Sequence, residues 1–197
     1  MTILVLICIV LGGLLGAALP PYLTAHLEAL TTGALCFMLV GIGIELGSQK
    51  EAWLRLRCMG WRIMLVPLLV AVGSLGGAVA AGFFLGMPIK EASAVGAGFG
   101  WYSLSGVILS KIYSVETGAL AFLTNIMREL ISFVIIPIVA ARIGNLAAIA
   151  PGGATTMDTT LPLIARTTDA DTAVIALVNG TTLSAMVPLL VPLLIGL

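Results

Sequence analysis

Long apolar runs separated by short polar links dominate the chain. The runs cover residues 3–19, 29–47, 63–85, 118–142 and 172–197. Each run is close to the roughly 20 residues that an α-helix needs to cross a bilayer. The pattern therefore predicts an all-α polytopic membrane protein with about five full spans, folded as a single integral membrane domain over residues 1–197.

A first interrupted stretch lies at residues 87–110. Its middle, from Gly96 to Gly106, has four glycines in eleven residues. Each glycine costs a helix about 0.8–1.0 kcal/mol relative to alanine, and irregular backbone at membrane depth is tolerated only where protein or a water-filled cavity surrounds it. We therefore predict a broken helix, either re-entrant or fully crossing. The alternative is an ordinary glycine-rich span packed against its neighbours.

A second interrupted stretch lies at residues 147–166, where the sequence Pro151-Gly-Gly breaks any helix. Four threonines surround Asp158, which we place inside the membrane. In the alternative, the whole stretch is a polar loop and Asp158 caps a helix near Thr159.

The order of these segments suggests an internal repeat. A long apolar helix followed by a broken segment occurs at residues 63–110 and again at 118–165. Discontinuous helices in corresponding places of two units are the best sequence indication of a transporter site. The two units are inverted if the broken segments are re-entrant, and parallel if they cross fully.

The link at residues 48–62 sets the expected orientation. It carries four Lys or Arg residues against the single acid Glu51, and the positive-inside rule places such a link in the cytoplasm. The amino terminus is then cytoplasmic, residues 1–28 form the first span and an external loop, and the carboxyl terminus is external.

The composition agrees with a membrane protein and excludes several functions. Hydrophobic residues make up 60% of the chain and charged residues only 9%, against about 25% charged in soluble domains. The net charge of zero gives no indication of a nucleic-acid partner. The sequence shows no nucleotide-binding loop, no metal-ligand spacing and no Ser/His/Asp set, so we expect neither an enzyme nor a bound metal or cofactor.

Three polar residues lie near the middle of the predicted span 118–142, namely Asn125, Arg128 and Glu129. A charged residue at the centre of a spanning helix costs roughly 2.5–3.5 kcal/mol on insertion scales, so such groups face a protein interior or a wet cavity. Asn125 and Glu129 are four residues apart and share one helix face. Arg128 is rotated about 100° from Glu129, and we expect it to find a different partner.

These polar groups define a candidate site. Intramembrane carboxylates suit an ammonium group, Na⁺ or a proton, which makes Glu129 and Asp158 the principal candidates. By hypothesis, Arg128 keeps Asp158 ionised while Glu129 titrates. A half-helix beginning at residues 152–155 would offer N–H donors to a carboxylate. Trp101 and Tyr102 are candidates to face a cation, the alternative being that both rings serve interfacial packing. The remaining candidates are Asn125, Ser103, Gly153, Thr155, Thr156 and Asn179.

Three motifs resemble those of the bacterial lysine exporter family LysO. They are GFGWYSLSG at 98–106, MREL at 127–130, and GATTMD at 153–158 followed by TLP at 160–162. The resemblance runs over roughly residues 29–197. It implies secondary active export of L-lysine and of toxic lysine analogues across the inner membrane. It further implies that Glu129 and Asp158 stand where the family has functionally important intramembrane acids.

Lysine fits such a site, because two carboxylates can bind its two ammonium groups. Since there is no ATP-binding motif, we expect proton or Na⁺ antiport to drive export. Familiar members carry a further amino-terminal hydrophobic region that this chain largely lacks, so we expect a homodimer. The alternatives are an exporter or exchanger of another cation or amino acid, and a non-catalytic membrane subunit that needs a partner protein.

Overall fold

The computed structural model describes residues 61–196, together with five isolated positions nearer the amino terminus. The chain forms two compact units, residues 1–47 and residues 48–197. In the first unit the described positions are all helical: Leu11, Gly33, Phe37, Val40 and Ile44. The rest of the predicted spans 3–19 and 29–47, and nearly all of the basic link, lie outside the described residues. The expected orientation of the termini therefore stays a prediction.

The second unit is entirely helical, with no strand among residues 61–196. A 3₁₀ turn at Trp61–Met64 comes first, and two more lie at Ala147–Ile149 and Gly153–Met157. Its six α-helices are α1 (Leu65–Phe84), α2 (Ile89–Gly96), α3 (Tyr102–Ile112), α4 (Val115–Arg142), α5 (Leu161–Thr167) and α6 (Ala170–Gly196).

Three of these helices, α1, α4 and α6, are long and apolar enough to cross a membrane. They correspond to the predicted spans 63–85, 118–142 and 172–197. The all-α membrane architecture is therefore confirmed for the described residues.

Helix α4 has recognisable signals at both ends. The Ser114 side chain accepts a hydrogen bond from the backbone N–H of Thr117 at 3.1 Å, which caps the first turn. At the other end, Gly144 adopts φ +132° and its N–H bonds to Val139 O. The Ser114 cap explains why the helix begins at Val115, three residues before the predicted apolar run.

Helix α6 lies at the centre of the second unit. It packs against α1, α2, α3, α5 and the 3₁₀ turn at 153–157. In its most apolar stretch 50% of the residues are buried, against 22% in α1. The polar side chains that α6 carries near its middle are therefore enclosed by protein.

Both predicted breaks are present. The first separates α2, of 8 residues, from α3, of 11 residues. At 1.5 Å per residue these pieces are about 12 Å and about 16 Å long, so neither alone crosses a hydrocarbon core of about 30 Å. The second break, residues 147–167, is different, because it consists of two 3₁₀ turns and the 7-residue α5. The two broken segments recur in the predicted order, but their secondary structures differ.

Candidate functional site

The two breaks contact each other directly. The backbone N–H of Ala154 donates to Phe99 O at 2.8 Å. Gly153 adopts φ +60°, and a Cβ there would lie 2.3 Å from Phe99 O. Phe99 itself is fully buried and has φ 49°, a conformation that costs a non-glycine residue energy and persists only where the surroundings impose it. Glycine at position 153 is therefore required for the two breaks to meet.

Asn125, on α4, holds the first break in place. Its Oδ1 accepts the N–H of Gly100 at 2.7 Å, and its Nδ2 donates to Val95 O at 3.1 Å and to Ala121 O at 2.8 Å. The side chain is 2% exposed. Because α2 ends at Gly96, the Asn125 amide pairs backbone groups that the interrupted helix leaves open.

Gly98 and Ser105 complete this arrangement. A Cβ at Gly98 would lie 2.5 Å from Asn125 Nδ2 and 2.7 Å from Ser105 Oγ. The Ser105 hydroxyl donates to Trp101 O at 2.8 Å across the first turn of α3. Ser105 did not stand out in the sequence, since single serines are common in glycine-rich helices.

Asn179 and Thr156 bind the second break to α6. Asn179 Nδ2 donates to Gly153 O and to Thr156 Oγ1, both at 3.0 Å. The Thr156 hydroxyl lies 2.7 Å from Ala176 O. Asn179 Oδ1 is buried and has no hydrogen-bond partner among the described residues. One acceptor of this network therefore remains open to a ligand or a water molecule.

The predicted half-helix at residues 152–155 is wrong. The segment Gly153–Met157 is a five-residue 3₁₀ turn, and several of its donors are used within the protein. Ala154 N–H bonds to Phe99 O, and Thr155 N–H and Thr155 Oγ1 both bond to Gly152 O. These donors are already paired, and a turn of five residues does not supply the aligned N–H groups and dipole of a helix start.

Two acids lie close enough to interact electrostatically: Glu129 on α4, and Asp158 at the end of the turn at 153–157. Glu129 is 2% exposed and shares a buried face of α4 with Asn125, as predicted. Its carboxyl group lies within electrostatic range of Asp158 and beside the Thr159 hydroxyl. Asp158 is exposed on the surface of the second unit, so the pair combines one enclosed acid with one accessible acid.

Arg128 faces elsewhere. Its guanidinium donates to Ser74 Oγ at 2.9 Å, Ala150 O at 3.1 Å and Pro151 O at 3.1 Å. The expectation that Arg128 finds a different partner from Glu129 is confirmed. The hypothesis that Arg128 holds Asp158 ionised is not supported, since these bonds direct the guanidinium to α1 and to the carbonyls before Gly152. Ser74 was missed in the sequence, where it is one small residue in a run of Gly and Ala.

The two aromatic candidates occupy different environments. Trp101 lines a cavity of about 20 Å³ together with Thr155, Asp158 and Ser184, enough space for about one water molecule. The Ser184 hydroxyl is buried and has no hydrogen-bond partner within residues 61–196. Tyr102 instead packs edge-on against Phe122, with ring centroids 5.3 Å apart.

Tyr102 therefore packs in the core between α3 and α4, and its contact with a cation stays a prediction. Ser103 is half-buried on the first turn of α3. No group of three or more His, Cys, Asp or Glu residues suited to a metal ion occurs among the described residues.

Comparison with known proteins places this arrangement in a family. Residues 6–195 match the family described as "Lysine exporter LysO". The chain is 36% identical over 183 residues to the Escherichia coli (strain K12) protein "Lysine exporter LysO", an alignment that covers 93% of this chain and 60% of that protein. It is 35% identical over 127 residues to a Haemophilus influenzae protein named "Putative lysine exporter", which covers 64% of this chain and 65% of the relative.

The chain thus spans about 60% of the length of the Escherichia coli relative. No solved structure matches it. The family match covers nearly the whole chain, including both breaks and the acid pair, and the chain therefore belongs to the lysine exporter LysO family.

Proposed function

We propose that this chain is a secondary active exporter of L-lysine, and of toxic lysine analogues, across the inner membrane. One observation carries the proposal beyond the family match: an enclosed carboxyl group, Glu129, lies within electrostatic range of the accessible Asp158 at the end of the turn at 153–157. A buried acid needs a cationic or hydrogen-bonding partner. An ammonium group of lysine, Na⁺ and a proton all meet that need.

Specificity for a cationic amino acid follows from the cost of leaving a buried carboxylate without a cationic partner. When lysine binds, its side-chain ammonium group pairs with the carboxylates. A neutral amino acid such as leucine leaves one carboxyl group buried without its partner, and an unpaired charged group in an enclosed site costs more than the roughly 1–3 kcal/mol of a neutral one. A site built around polar recognition therefore rejects analogues that lack the recognised group.

The same pair supports proton or Na⁺ antiport. If the ammonium group and the coupling ion bind the same carboxylates, the two cannot occupy the site together. Exchange of one for the other then links the two fluxes. Asp158 is the acid open to the surface of the unit, and we assign it to the first contact with either cation.

The remaining features of the proposal come from the sequence. The chain acts as a homodimer in the bilayer, with its amino terminus cytoplasmic and its carboxyl terminus external. It carries no enzymatic activity and no resident cofactor, and the broken segments are the parts that enter the membrane without forming simple spans.

The test is lysine flux through the purified chain. The protein is reconstituted into liposomes preloaded with unlabelled lysine, and uptake of radiolabelled lysine is followed with and without a pH gradient or a Na⁺ gradient. The proposal predicts uptake that excess lysine suppresses, that excess leucine leaves intact, and that one of the two gradients changes several-fold. Folded protein that moves no lysine under any gradient would contradict it.

A further inference from the structure

A groove of about 620 Å³ runs between α1 and the segment that follows α4. This volume lies within the 300–1,000 Å³ range of small-molecule sites. The walls are mostly apolar, formed on one side by Val66, Leu69 and Val70 and on the other by Leu146 and Ala147. The charged side chain among the lining residues is Arg128. The groove therefore combines an apolar wall with one cation.

The guanidinium in this groove has no counter-charge among its hydrogen-bond partners. The three acceptors it binds, Ser74 Oγ, Ala150 O and Pro151 O, are all neutral. No carboxylate pairs with it among the described residues. A guanidinium has five N–H donors; three are used, which leaves two. Since an enclosed charge without a counter-charge is costly, the groove favours an anionic ligand.

Arg128 is also held in one place. Its side chain lies against both breaks, because a Cβ at Gly153 would be 2.9 Å from Arg128 Nη2 and a Cβ at Gly100 would be 3.8 Å from Arg128 Cδ. The three hydrogen bonds fix the plane of the group between α1 and the second break. A planar donor set fixed in this way loses little freedom when it binds, and its geometry suits a carboxylate.

We propose that Arg128 binds the α-carboxylate of the transported amino acid in this groove, with the aliphatic part of the ligand against α1. This inference rests on the proposed export of lysine and adds its second recognition element. In the turn at residues 153–157 the Ala154 and Thr155 N–H groups are already bonded within the protein, whereas Arg128 has two donors left. The second break, which accepts hydrogen bonds from Arg128 at Ala150 and Pro151, continues to Asp158 beside Glu129. One segment thus connects the carboxylate site with the acid pair.

The test compares lysine with lysinamide, which keeps both amines but lacks the carboxylate. Labelled lysine flux is measured in neutral phosphatidylcholine liposomes while unlabelled lysine or lysinamide competes. In the wild type we expect lysinamide to compete at least about 10-fold more weakly than lysine, as the loss of one charge-assisted pair requires. In Arg128→Gln we expect lysine affinity to fall and the ratio between the two competitors to shrink to within about 3-fold.

Two further variants separate recognition from structural support. Arg166→Gln removes an exposed guanidinium from α5, outside the groove, and should keep the wild-type ratio. Arg128→Lys keeps the charge without the planar fork and should show an intermediate ratio. Thermal midpoints in detergent verify that each variant is folded. The comparison of lysine with lysinamide in the wild type needs no variant, so it remains decisive even if Arg128→Gln does not fold.

Three results would overturn the proposal. Equal competition by lysine and lysinamide in an active wild type would remove the role of Arg128 and leave lysine export intact. A wild type without lysine flux would contradict both the role of Arg128 and the proposed export of lysine. A thermal midpoint that rises with phosphatidylglycerol, loses that rise in Arg128→Gln and does not respond to lysine would assign the groove to an acidic lipid headgroup.

Discussion

Substitution of Gly180 by alanine should destabilise the protein, although alanine is the better helix former. Gly180 lies in the middle of α6, directly against the turn of the second break. A Cβ at this position would be 2.2 Å from the backbone N of Met157 and 2.7 Å from the backbone O of Ala154. Ordinary contact begins at 3.4 Å, so the turn or the helix must move by 1.2 Å, the difference between 3.4 and 2.2 Å. Neither atom belongs to a flexible side chain that can rotate away.

The net effect is the difference between two opposing contributions. Alanine improves helix propensity by about 0.8–1.0 kcal/mol. Overpacking of a tight site costs typically 1–3 kcal/mol, and two backbone contacts below 3 Å place Gly180→Ala in the upper part of that range. The variant should therefore lose about 1–2 kcal/mol. The matched control is Gly76→Ala in α1, which meets nothing within 4 Å and should be neutral or stabilised by up to about 1 kcal/mol.

The assay is the thermal midpoint of the purified protein in detergent, measured by loss of monodisperse protein after heating. For a chain of this size, a loss of 1–2 kcal/mol lowers the midpoint by about 2–8 °C. Lysine flux should also fall in Gly180→Ala, because the displaced turn carries Asp158 at its end. If Gly180→Ala and Gly76→Ala have the same midpoint, α6 and the turn are not packed as described here.

Two other predictions concern single hydrogen-bonding side chains. Asn125→Leu leaves the N–H of Gly100 without its partner and removes one of the two hydrogen bonds to the Val95 carbonyl. The loss should cost about 1–3 kcal/mol and lower the thermal midpoint; an unchanged midpoint would show that Asn125 does not hold the first break. At the start of α6, the Thr172 N–H donates to Asp169 and lowers the pKa of that carboxyl below its ordinary 3.8. A lowered pKa contributes stability above pH 3.8 that is lost as the pH falls through the folded-state value. The thermal midpoint of Asp169→Asn should therefore fall less between about pH 5 and pH 2 than that of the wild type; parallel pH profiles would contradict the reasoning.

The length of the apolar runs was enough to predict the long helices. The apolar runs at 63–85, 118–142 and 172–197 correspond to α1, α4 and α6 within a few residues, since membrane spans are defined by length and apolarity alone. The glycine cluster and Pro151 also predicted where the helices break. The structure of the second break was not predictable in the same way. Its 3₁₀ turns depend on contacts with Phe99 and Asn179 from distant parts of the chain.

The site was predictable in part, and for a definable reason. Spacing along one helix placed Asn125 and Glu129 on a common face, because residues four apart are neighbours on any α-helix. The hypothesis that Arg128 keeps Asp158 ionised came from opposite charges, the simplest pairing that a sequence suggests, and the hydrogen bonds of Arg128 do not support it. The actual acceptors of Arg128 are a serine hydroxyl and two backbone carbonyls. Carbonyls that a broken helix exposes have no sequence signature of their own.

The central claim is that Glu129 and Asp158 together bind the exported cation. The most direct test measures gradient-dependent flux of labelled lysine in proteoliposomes for the wild type, Glu129→Gln and Asp158→Asn. The control is Glu116→Gln, which removes an exposed acid from the first turn of the same helix α4. We predict that the two site variants lose at least about 10-fold in flux, since each loses a charged partner worth roughly 1.5–3 kcal/mol, while Glu116→Gln retains wild-type flux. Folded Glu129→Gln and Asp158→Asn proteins that transport lysine as fast as the control would contradict the claim.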